Sequence, residues 1–159
     1  MLSIDDVVAQ LEITRLIYLY AERVDLGDYE GVAELFRDAG MSSEGTDHVD
    51  RGYDAIYRRY VDWTRRLDDN GTPHTKHVTT NVVVDVDHAA GTAESRSYFT
   101  VFQQTDVLPL QPIIAGRYRD RFERVDGAWR FAHRHMVPDL FGDLSQHLLQ
   151  PVAADPNAS

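Results

Sequence analysis

The hydrophobic period of this chain changes once, at the polar segment Asp68–Pro73, and this change restricts the fold more than any other feature. Before it, apolar residues recur at helical intervals, most clearly at Ile13, Ile17, Tyr20 and Val24. After it, β-branched and aromatic residues form runs of strand length separated by turn residues. Helices followed by consecutive strands predict one α+β domain, in which the helices pack on one face of an antiparallel sheet.

Three helices are predicted in the first half of the chain. The first begins at an N-cap, Ser3, which is followed by acidic residues, and it stops near Gly27. Asp28 is expected to cap a short second helix that ends at Phe36, and a third helix is expected over residues 53–67. The small and polar residues 38–47 predict a loop between the second and third helices.

Four strands are predicted after Pro73, at residues 76–86, 92–104, 112–125 and 128–137. Asp126-Gly127, between the last two strands, is typical of a two-residue hairpin turn with positive φ angles. The domain is expected to span residues 1–149, and residues 150–159 are expected to form a flexible C-terminal tail.

The hairpin turn also predicts which side chains share a face of the sheet. A pair between Val125 and Ala128 makes Asp120 and His133 cross-strand neighbours. Their face is mainly aromatic and is predicted to pack on the helices; it carries Tyr118, Asp120, Phe122, Trp129, Phe131, His133 and His135. The opposite face is predicted to point outward; it carries Arg117, Arg119, Arg121, Glu123, Arg130 and Arg134.

The composition excludes several classes of function. A formal net charge of −10 over 159 residues disfavours binding to the phosphate backbone of nucleic acid. The absence of cysteine excludes disulfides, thiolate metal sites and a cysteine nucleophile. No apolar run reaches the ~20 residues of a membrane-spanning helix, and the N-terminus lacks the basic and apolar regions of a signal peptide. We therefore expect a cytoplasmic protein that binds neither nucleic acid nor membrane.

The motif His77-Val-Thr-Thr-Asn81 opens the first predicted strand, and it supplies an imidazole to a chain that carries Asp25 and Tyr20 on its first helix. Imidazole titrates near neutral pH, a carboxylate can fix its tautomer, and a phenol can polarise a substrate oxygen. These three groups suffice for proton transfer without a cofactor. Strict alternation places His77 opposite the apolar face of its strand, which consists of Val78, Thr80, Val82, Val84 and Val86.

Two histidine pairs raise the question of a metal site: His74 with His77, and His133 with His135. Alternating histidines on a strand can bind zinc or iron, but neither pair has a third ligand at an informative spacing. We expect neither a metal nor an organic cofactor.

Three segments resemble the SnoaL-like branch of the nuclear transport factor 2-like superfamily: RLIYLYAERVDLGDYEGVAELF, HVTTN and GRYRDRFERVDGAWRFAHRH. The resemblance covers residues 4 to about 137. It implies a cone-shaped fold in which a curved antiparallel sheet wraps the long first helix and leaves a deep pocket. Within the superfamily, the pattern is most similar to scytalone dehydratase, bile-acid 7α-dehydratase and hexachlorocyclohexane dehydrochlorinase.

The resemblance also implies a site and an assembly. It makes Asp25 and His77 a catalytic dyad and Tyr20 a pocket residue that favours loss of water. The residues expected to contact a small hydrophobic substrate are Tyr57, Phe99, Val101, Tyr118, Asp120, His133 and His135. Many relatives associate through the outer surface of the sheet, so a homodimer or homotrimer is expected.

Three functions fit this sequence. The first is a cofactor-independent lyase, a dehydratase of a cyclic or polyketide-like carbonyl compound. The second is an isomerase or polyketide cyclase that uses the same groups, and the mass of the product separates it from the first. The third is a non-catalytic protein that binds a ligand or resembles the small subunit of an oxygenase, for which a stable complex without activity of its own is expected.

Overall fold

The computed structural model describes residues 1–152 and 155–156. Its helices are α1 (Ile4–Asp25), α2 (Tyr29–Leu35) and α3 (Gly52–Trp63). Its strands are β1 (Gly40–Ser43), β2 (Val49–Arg51), β3 (Thr75–Asp87), β4 (Thr92–Gln103), β5 (Gln111–Val125) and β6 (Ala128–Phe141). They form one curved sheet in the order β2-β1-β6-β5-β4-β3. The predicted α+β fold, a curved sheet around a long N-terminal helix, is confirmed.

Helix α1 is held at both ends by the residues that predicted it. Ser3 and Asp6 form a capping box, with the Asp6 N–H donating to Ser3 Oγ at 3.1 Å. The helix ends at Asp25, and Gly27 follows with φ +70°. A Cβ at this glycine would lie 2.4 Å from the Gly71 carbonyl oxygen, so the chain can turn here only because the residue is glycine.

Two short strands occupy the region between α2 and α3, and they correct two predictions. Strand β1 lies within residues 38–47, which were predicted to be a loop. It pairs in parallel with β6, so the sheet is mixed rather than wholly antiparallel. The sequence of β1, Gly-Met-Ser-Ser, has no alternation of apolar and polar residues: Ser42 bonds to His133 on β6, and Ser43 accepts a hydrogen bond from Arg59 on α3. Helix α3 stops at Trp63, four residues before its predicted end at Leu67, because Thr64 pairs with Leu148 in a β-bridge.

The β5–β6 hairpin begins in the predicted register and then departs from it. Asp126 and Gly127 have φ angles of 51° and 85°, and Phe122 pairs with Phe131. Trp129, Phe131, Phe122 and Tyr118 are buried as predicted. One extra residue on β6, between Phe131 and His133, then shifts the register, and Asp120 pairs with Arg134 instead of His133.

The predicted burial of two groups is therefore reversed. Arg134 faces the interior and is fully buried, whereas the prediction had it pointing outward. His133 and His135 were predicted on the buried aromatic face, but their rings bond to Ser42 across the β1–β6 pair. The bulge is favoured because it lets the Arg134 guanidinium meet the Asp120 carboxylate inside the protein, at 2.7 and 2.8 Å.

A second bulge lies in β3 and decides the position of His77. Thr80 pairs with Tyr98 and Val83 pairs with Arg96, so β3 advances by three residues where β4 advances by two. Asn81 has φ 54°, the left-handed conformation that such a bulge requires. The face predicted from strict alternation is thus wrong: His77 shares the inner face with Val82 and Val84, while Val78 and Thr80 point outward.

Candidate functional site

The side chains of Asp25 and His77 meet between the end of α1 and the start of β3. His77 Nδ1 lies 2.6 Å from Asp25 Oδ1, and the His77 backbone N–H donates to Asp25 Oδ2 at 2.9 Å. Thr75 Oγ donates a third hydrogen bond to the carboxylate at 2.7 Å. Their side chains are 7% (His77) and 12% (Asp25) exposed, so the pair is largely shielded from water.

The local sequence explains this meeting. Asp25 is the last residue of α1, where the helix no longer constrains the direction of the chain. Thr75 and His77 are two residues apart in β3 and so share the face that packs on α1. The carboxylate therefore bridges a strand side chain, a strand backbone N–H and an imidazole, and it fixes the orientation of the ring.

The electrostatics of the dyad favour an ionised carboxylate. Burial alone opposes the charge on Asp25, but the hydrogen bonds and positive character of His77, with the bonds from the His77 backbone and Thr75, outweigh it, and the pKa of Asp25 is lowered. An anionic Asp25 holds the proton of the imidazole on Nδ1. This leaves Nε2 of His77 as the nitrogen with a free lone pair.

The His77 ring lies on the inner face of β3 and is largely buried. Its Nε2 makes no hydrogen bond within the described part of the chain, and it is not one of the fully buried polar atoms. Val101 pairs with His77 across the β3–β4 ladder, and Phe99 pairs with Thr79. Two of the predicted contact residues, Val101 and Phe99, therefore flank the imidazole on the inner face.

A histidine that the sequence did not single out lies on the other side of this imidazole. His147 belongs to the C-terminal segment, residues 142–152, which follows β6 and covers the dyad. The two ring centres are 6.3 Å apart, and His147 is 7% exposed. Burial lowers the pKa of His147 to about 3, and the neighbouring His77 adds to this effect, so His147 is neutral. The C-terminal segment has no regular period, and nothing in its sequence predicts where His147 lies.

Tyr20 belongs to a separate interior cluster. Its hydroxyl lies 2.7 Å from that of Tyr60, and its ring contacts Phe36 and Tyr118 edge-on. The Arg134 guanidinium lies 4.2 Å from the centre of the Tyr20 ring. In the described residues no hydrogen bond joins Tyr20 to Asp25 or His77, and its hydroxyl bonds to that of Tyr60 instead.

The remaining predicted contact residues are distributed over the molecule. Tyr118 stacks on Phe99 with ring centres 4.5 Å apart, and burial raises its pKa well above the usual value. Asp120 is bound to Arg134 and is fully buried. Tyr57 stacks on Tyr53 at the surface of α3. His135 and His133 lie on the outer face of the sheet, where His135 Nε2 is 3.0 Å from Glu44 Oε2.

Two clefts are open to the surface. One, of about 440 Å³, runs along the C-terminal segment and is lined by Leu144, Leu148 and Val152 among others. The other, of about 370 Å³, lies on the outer face of the sheet beside Arg119, Arg121 and His133. Neither cleft is lined by Asp25 or His77.

Residues 1–152 and 155–156 contain neither a cluster of metal-ligand side chains nor a membrane-spanning helix. No three or more histidine or acidic side chains in this part of the chain converge as metal ligands would. No helix in the same residues combines the length and the apolar character needed to cross a membrane.

Comparison with known proteins identifies relatives of this architecture. Residues 5–135 match the model of the SnoaL-like domain. Rv3472 of Mycobacterium tuberculosis, a protein of unknown function, is 28% identical over 85% of this chain and 74% of its own, with a TM-score of 0.69. No match was found among curated proteins.

Two solved structures from Novosphingobium aromaticivorans are also similar. The "Putative Scytalone Dehydratase" is 24% identical, with 87% of this chain and 89% of that chain covered and a TM-score of 0.68. The "beta subunit of a putative aromatic-ring-hydroxylating dioxygenase" is 18% identical, with 84% and 91% covered and a TM-score of 0.66. At these identities the likeness establishes a common fold.

Proposed function

The chain belongs to the SnoaL-like domain family, and from that membership we propose that it is a cofactor-independent acid–base lyase. Specifically, it is a dehydratase of a small cyclic or polyketide-like carbonyl compound. Asp25 and His77 are its catalytic dyad. The resemblance of its three sequence motifs to the family is confirmed, whereas the reaction is the proposal.

One observation carries this proposal: the bond of 2.6 Å between His77 Nδ1 and Asp25 Oδ1, with Nε2 of the same ring left without a hydrogen-bond partner in the described residues. A ring whose orientation and tautomer are fixed by a carboxylate is a competent general base at its other nitrogen. Asp25 accepts three hydrogen bonds, which hold its carboxylate in place. His77 is therefore the member of the dyad that exchanges protons.

The elimination of water from a β-hydroxy carbonyl compound follows from this geometry. His77 Nε2 removes the proton α to the carbonyl, and the electron pair of that C–H bond forms an enolate. The carbonyl forms again as the bond from the β-carbon to its hydroxyl oxygen breaks. The His77 imidazolium returns the proton to that oxygen, so the products are an α,β-unsaturated carbonyl compound and water. Asp25 stabilises the imidazolium between the two transfers.

Turnover with simple substrates tests the reaction. The purified protein is incubated with β-hydroxycyclohexanone and β-hydroxytetralone, and the product is identified by mass. Loss of one water from either ketone, in the presence of a chelator and without added cofactor, is the expected result. A product of the same mass as the substrate would indicate an isomerase or cyclase instead of a dehydratase. The absence of any product would count against a lyase of this substrate class.

A second candidate rests on the likeness to the dioxygenase beta subunit. In that case the protein would be a non-catalytic subunit, and the outer face of its sheet would bind a larger partner. Co-purification of the tagged protein from its native host separates the two candidates. A stable complex with a large oxygenase subunit, together with no turnover by the isolated chain, would favour this second function.

A further inference from the structure

We propose that His147 is a second imidazole of this site, which donates a hydrogen bond to the oxygen that leaves the substrate. This inference rests on the proposed lyase function and adds a residue to it. His147 lies beyond residue 135, where the match to the family model ends, so the family membership does not assign it a role.

The C-terminal segment is anchored so that His147 has a fixed position. The Arg65 N–H donates to the His147 carbonyl at 2.8 Å, and the Leu149 N–H donates to the Trp63 carbonyl at 2.9 Å. Gln103, which is buried in β4, donates to the carbonyl of Gln146 at 3.2 Å. These bonds attach the residues on both sides of His147 to α3 and to β4. Because α3 ends at Trp63, the Trp63 carbonyl and the Arg65 N–H bind this segment instead of continuing the helix.

The His147 side chain is buried without a partner. Its Nδ1 is inaccessible to solvent and makes no hydrogen bond, although the ring is neutral and has one N–H to donate and one lone pair to accept. Gln103 Oε1 and Thr79 Oγ on the adjoining strands are also buried and unpartnered. A buried polar atom without a partner destabilises the folded state, and native proteins usually avoid it. Thr79 is on the strand that carries His77 and Gln103 is on the strand paired with it, so a polar group bound beside the dyad could supply the missing partner of His147.

The distance between the two imidazoles fits this role. Their ring centres are 6.3 Å apart and the ring planes are inclined by 60°. When two imidazole nitrogens each bind the same oxygen at ~2.8 Å, the distance between their ring centres is of this order. An oxygen between the rings would contact both His77 Nε2 and His147. This is the position required of a leaving hydroxyl that must receive a proton from His77.

The step assigned to His147 involves no net proton transfer to or from its own ring. His77 takes the α-proton and returns it to the β-oxygen as the C–O bond breaks, and water leaves. Throughout, the neutral His147 donates its N–H to that oxygen and stabilises the negative charge that develops on it. A neutral ring suits this task because it does not compete for the proton that His77 carries.

Binding of 1-naphthol, whose phenolic oxygen mimics the substrate oxygen, tests the inference without turnover. In protein labelled with ¹⁵N-histidine, the side-chain signals of His77 and His147 should shift together during the titration. His147→Phe, which keeps the shape of a planar ring, should weaken naphthol binding by about tenfold, the worth of one hydrogen bond. His135→Phe, on the outer face, is the matched control and should leave the affinity unchanged. Binding that leaves the His147 signals in place, or no binding at all, would overturn the inference.

Turnover separates failure of this inference from failure of the proposed function. With a β-hydroxy ketone that the wild-type protein dehydrates, His147→Phe should lower kcat by roughly 10-fold to 100-fold, and His147→Gln, which retains an N–H donor, should restore most of it. Wild-type kcat in His147→Phe, beside loss of activity in His77→Gln, would remove His147 from the mechanism and leave the lyase intact. Naphthol shifts at both histidines without dehydration of any ketone would remove the lyase and leave His147 as a ligand-binding residue.

A packing role for His147 makes a different forecast for stability. If the ring served only to fill space, His147→Phe would not alter naphthol binding, and His147→Gln would be the more damaging change because it is the smaller and more flexible side chain. If the ring serves a ligand, His147→Phe should melt at the same temperature as the wild type or higher, because it removes an unpartnered buried polar group.

Discussion

At the scale of single residues, Asp120 and Arg134 form a fully buried ion pair, and its surroundings explain how it is tolerated. The Arg134 guanidinium lies 3.9 Å from the centre of the Tyr118 ring and 4.2 Å from that of Tyr20. Burial opposes the charge on Arg134, but the Asp120 carboxylate outweighs it and raises the pKa of the guanidinium. Both side chains have no exposed surface, so each charge depends on the other for its compensation.

Removal of one partner of this pair should be costly, and removal of both should not. Asp120→Leu leaves an unpaired buried guanidinium and should lower the free energy of unfolding by about 3–5 kcal/mol. The double variant Asp120→Leu, Arg134→Met should recover most of that loss, because an apolar pair of similar volume needs no charge compensation. Urea unfolding measures both values. A single variant that loses less than about 1 kcal/mol would show that water reaches Arg134.

The buried neutral His147 should make the protein sensitive to mild acid. Its pKa is about 3 in the folded state and 6.5 in the unfolded chain, so the unfolded chain binds more protons between these values. The free energy of unfolding should therefore fall by about 1.4 kcal/mol per pH unit as the pH drops below 6.5. Asp25 does not contribute to this fall in stability. Its pKa is lowered from 3.8 on folding, so the stability that its ionised form provides is lost only as the pH falls below 3.8.

His147→Phe should remove this part of the acid sensitivity. Denaturant melts between pH 6.5 and pH 4 should show a shallower slope for His147→Phe than for the wild type. His48→Phe, at a histidine whose side chain is 70% exposed, serves as the control and should keep the wild-type slope. Equal slopes in all three proteins would mean that His147 is protonated in the folded state.

At the scale of secondary-structure elements, the sequence predicts what is regular and misses what interrupts it. Periodicity identifies α1, the four long strands and the Asp126-Gly127 turn, because each depends on residues close together in the chain. The bulges at Asn81 and after Phe131 depend instead on what each strand meets across the sheet. Each bulge adds one residue and so moves every side chain on one side of it to the other face. For that reason periodicity placed His77, His133 and Arg134 on the wrong faces.

The Asn81 bulge can be tested by substitution and by deletion. Asn81→Gly should fold with nearly unchanged stability, since glycine adopts φ 54° without strain. Asn81→Val should lose about 1–2 kcal/mol, because a β-branched residue resists this conformation. Deletion of Asn81 removes the extra residue, so His77 and Val82 come to lie four positions apart and strict alternation should keep both on the inner face without a bulge.

The N–H proton that His77 shares with Asp25 gives a direct measurement of this effect. In proton NMR it should appear far downfield in the wild type, in Asn81→Gly and after deletion of Asn81, because all three keep His77 on the inner face. Loss of the signal in a folded deletion variant would contradict this account of the bulge.

At the scale of the whole molecule, the resemblance predicted the cone and the Asp25–His77 contact, but neither it nor the residue pattern predicted that His147 lies beside this pair. Membership of the family predicts how α1 packs on β3, and the contact between Asp25 and His77 depends on that packing. The C-terminal segment was predicted to be domain up to residue 149 and a flexible tail thereafter, and residues 153–154 and 157–159 lie outside the described part. His147 was missed because its position depends on tertiary hydrogen bonds to Arg65 and Trp63.

The outer face of the sheet is expected to join copies of the chain into a dimer or trimer. Tyr98, Val78 and Val83 are exposed there, and Arg119 and Arg121 form none of the ion pairs seen in the described residues. In a chain of net charge −10, arginines on this face can meet acidic groups of another copy. Sedimentation at micromolar concentration should show an oligomer. Arg119→Glu with Arg121→Glu should dissociate it, whereas Arg58→Glu on α3 should not; a wild-type monomer would contradict this expectation.

The most direct test of the whole account is to compare two carboxylate–imidazole pairs of this protein by kinetics. Asp25 and His77 form the inner pair, and Glu44 and His135, 3.0 Å apart on the outer face, form a matched control. With the β-hydroxy ketone that is dehydrated best, kcat/KM should fall by roughly 10²–10⁴ in His77→Gln and in Asp25→Asn. It should remain at the wild-type value in His135→Gln and Glu44→Gln. Wild-type kcat/KM in both inner variants, with folding intact, would contradict the assignment of the dyad.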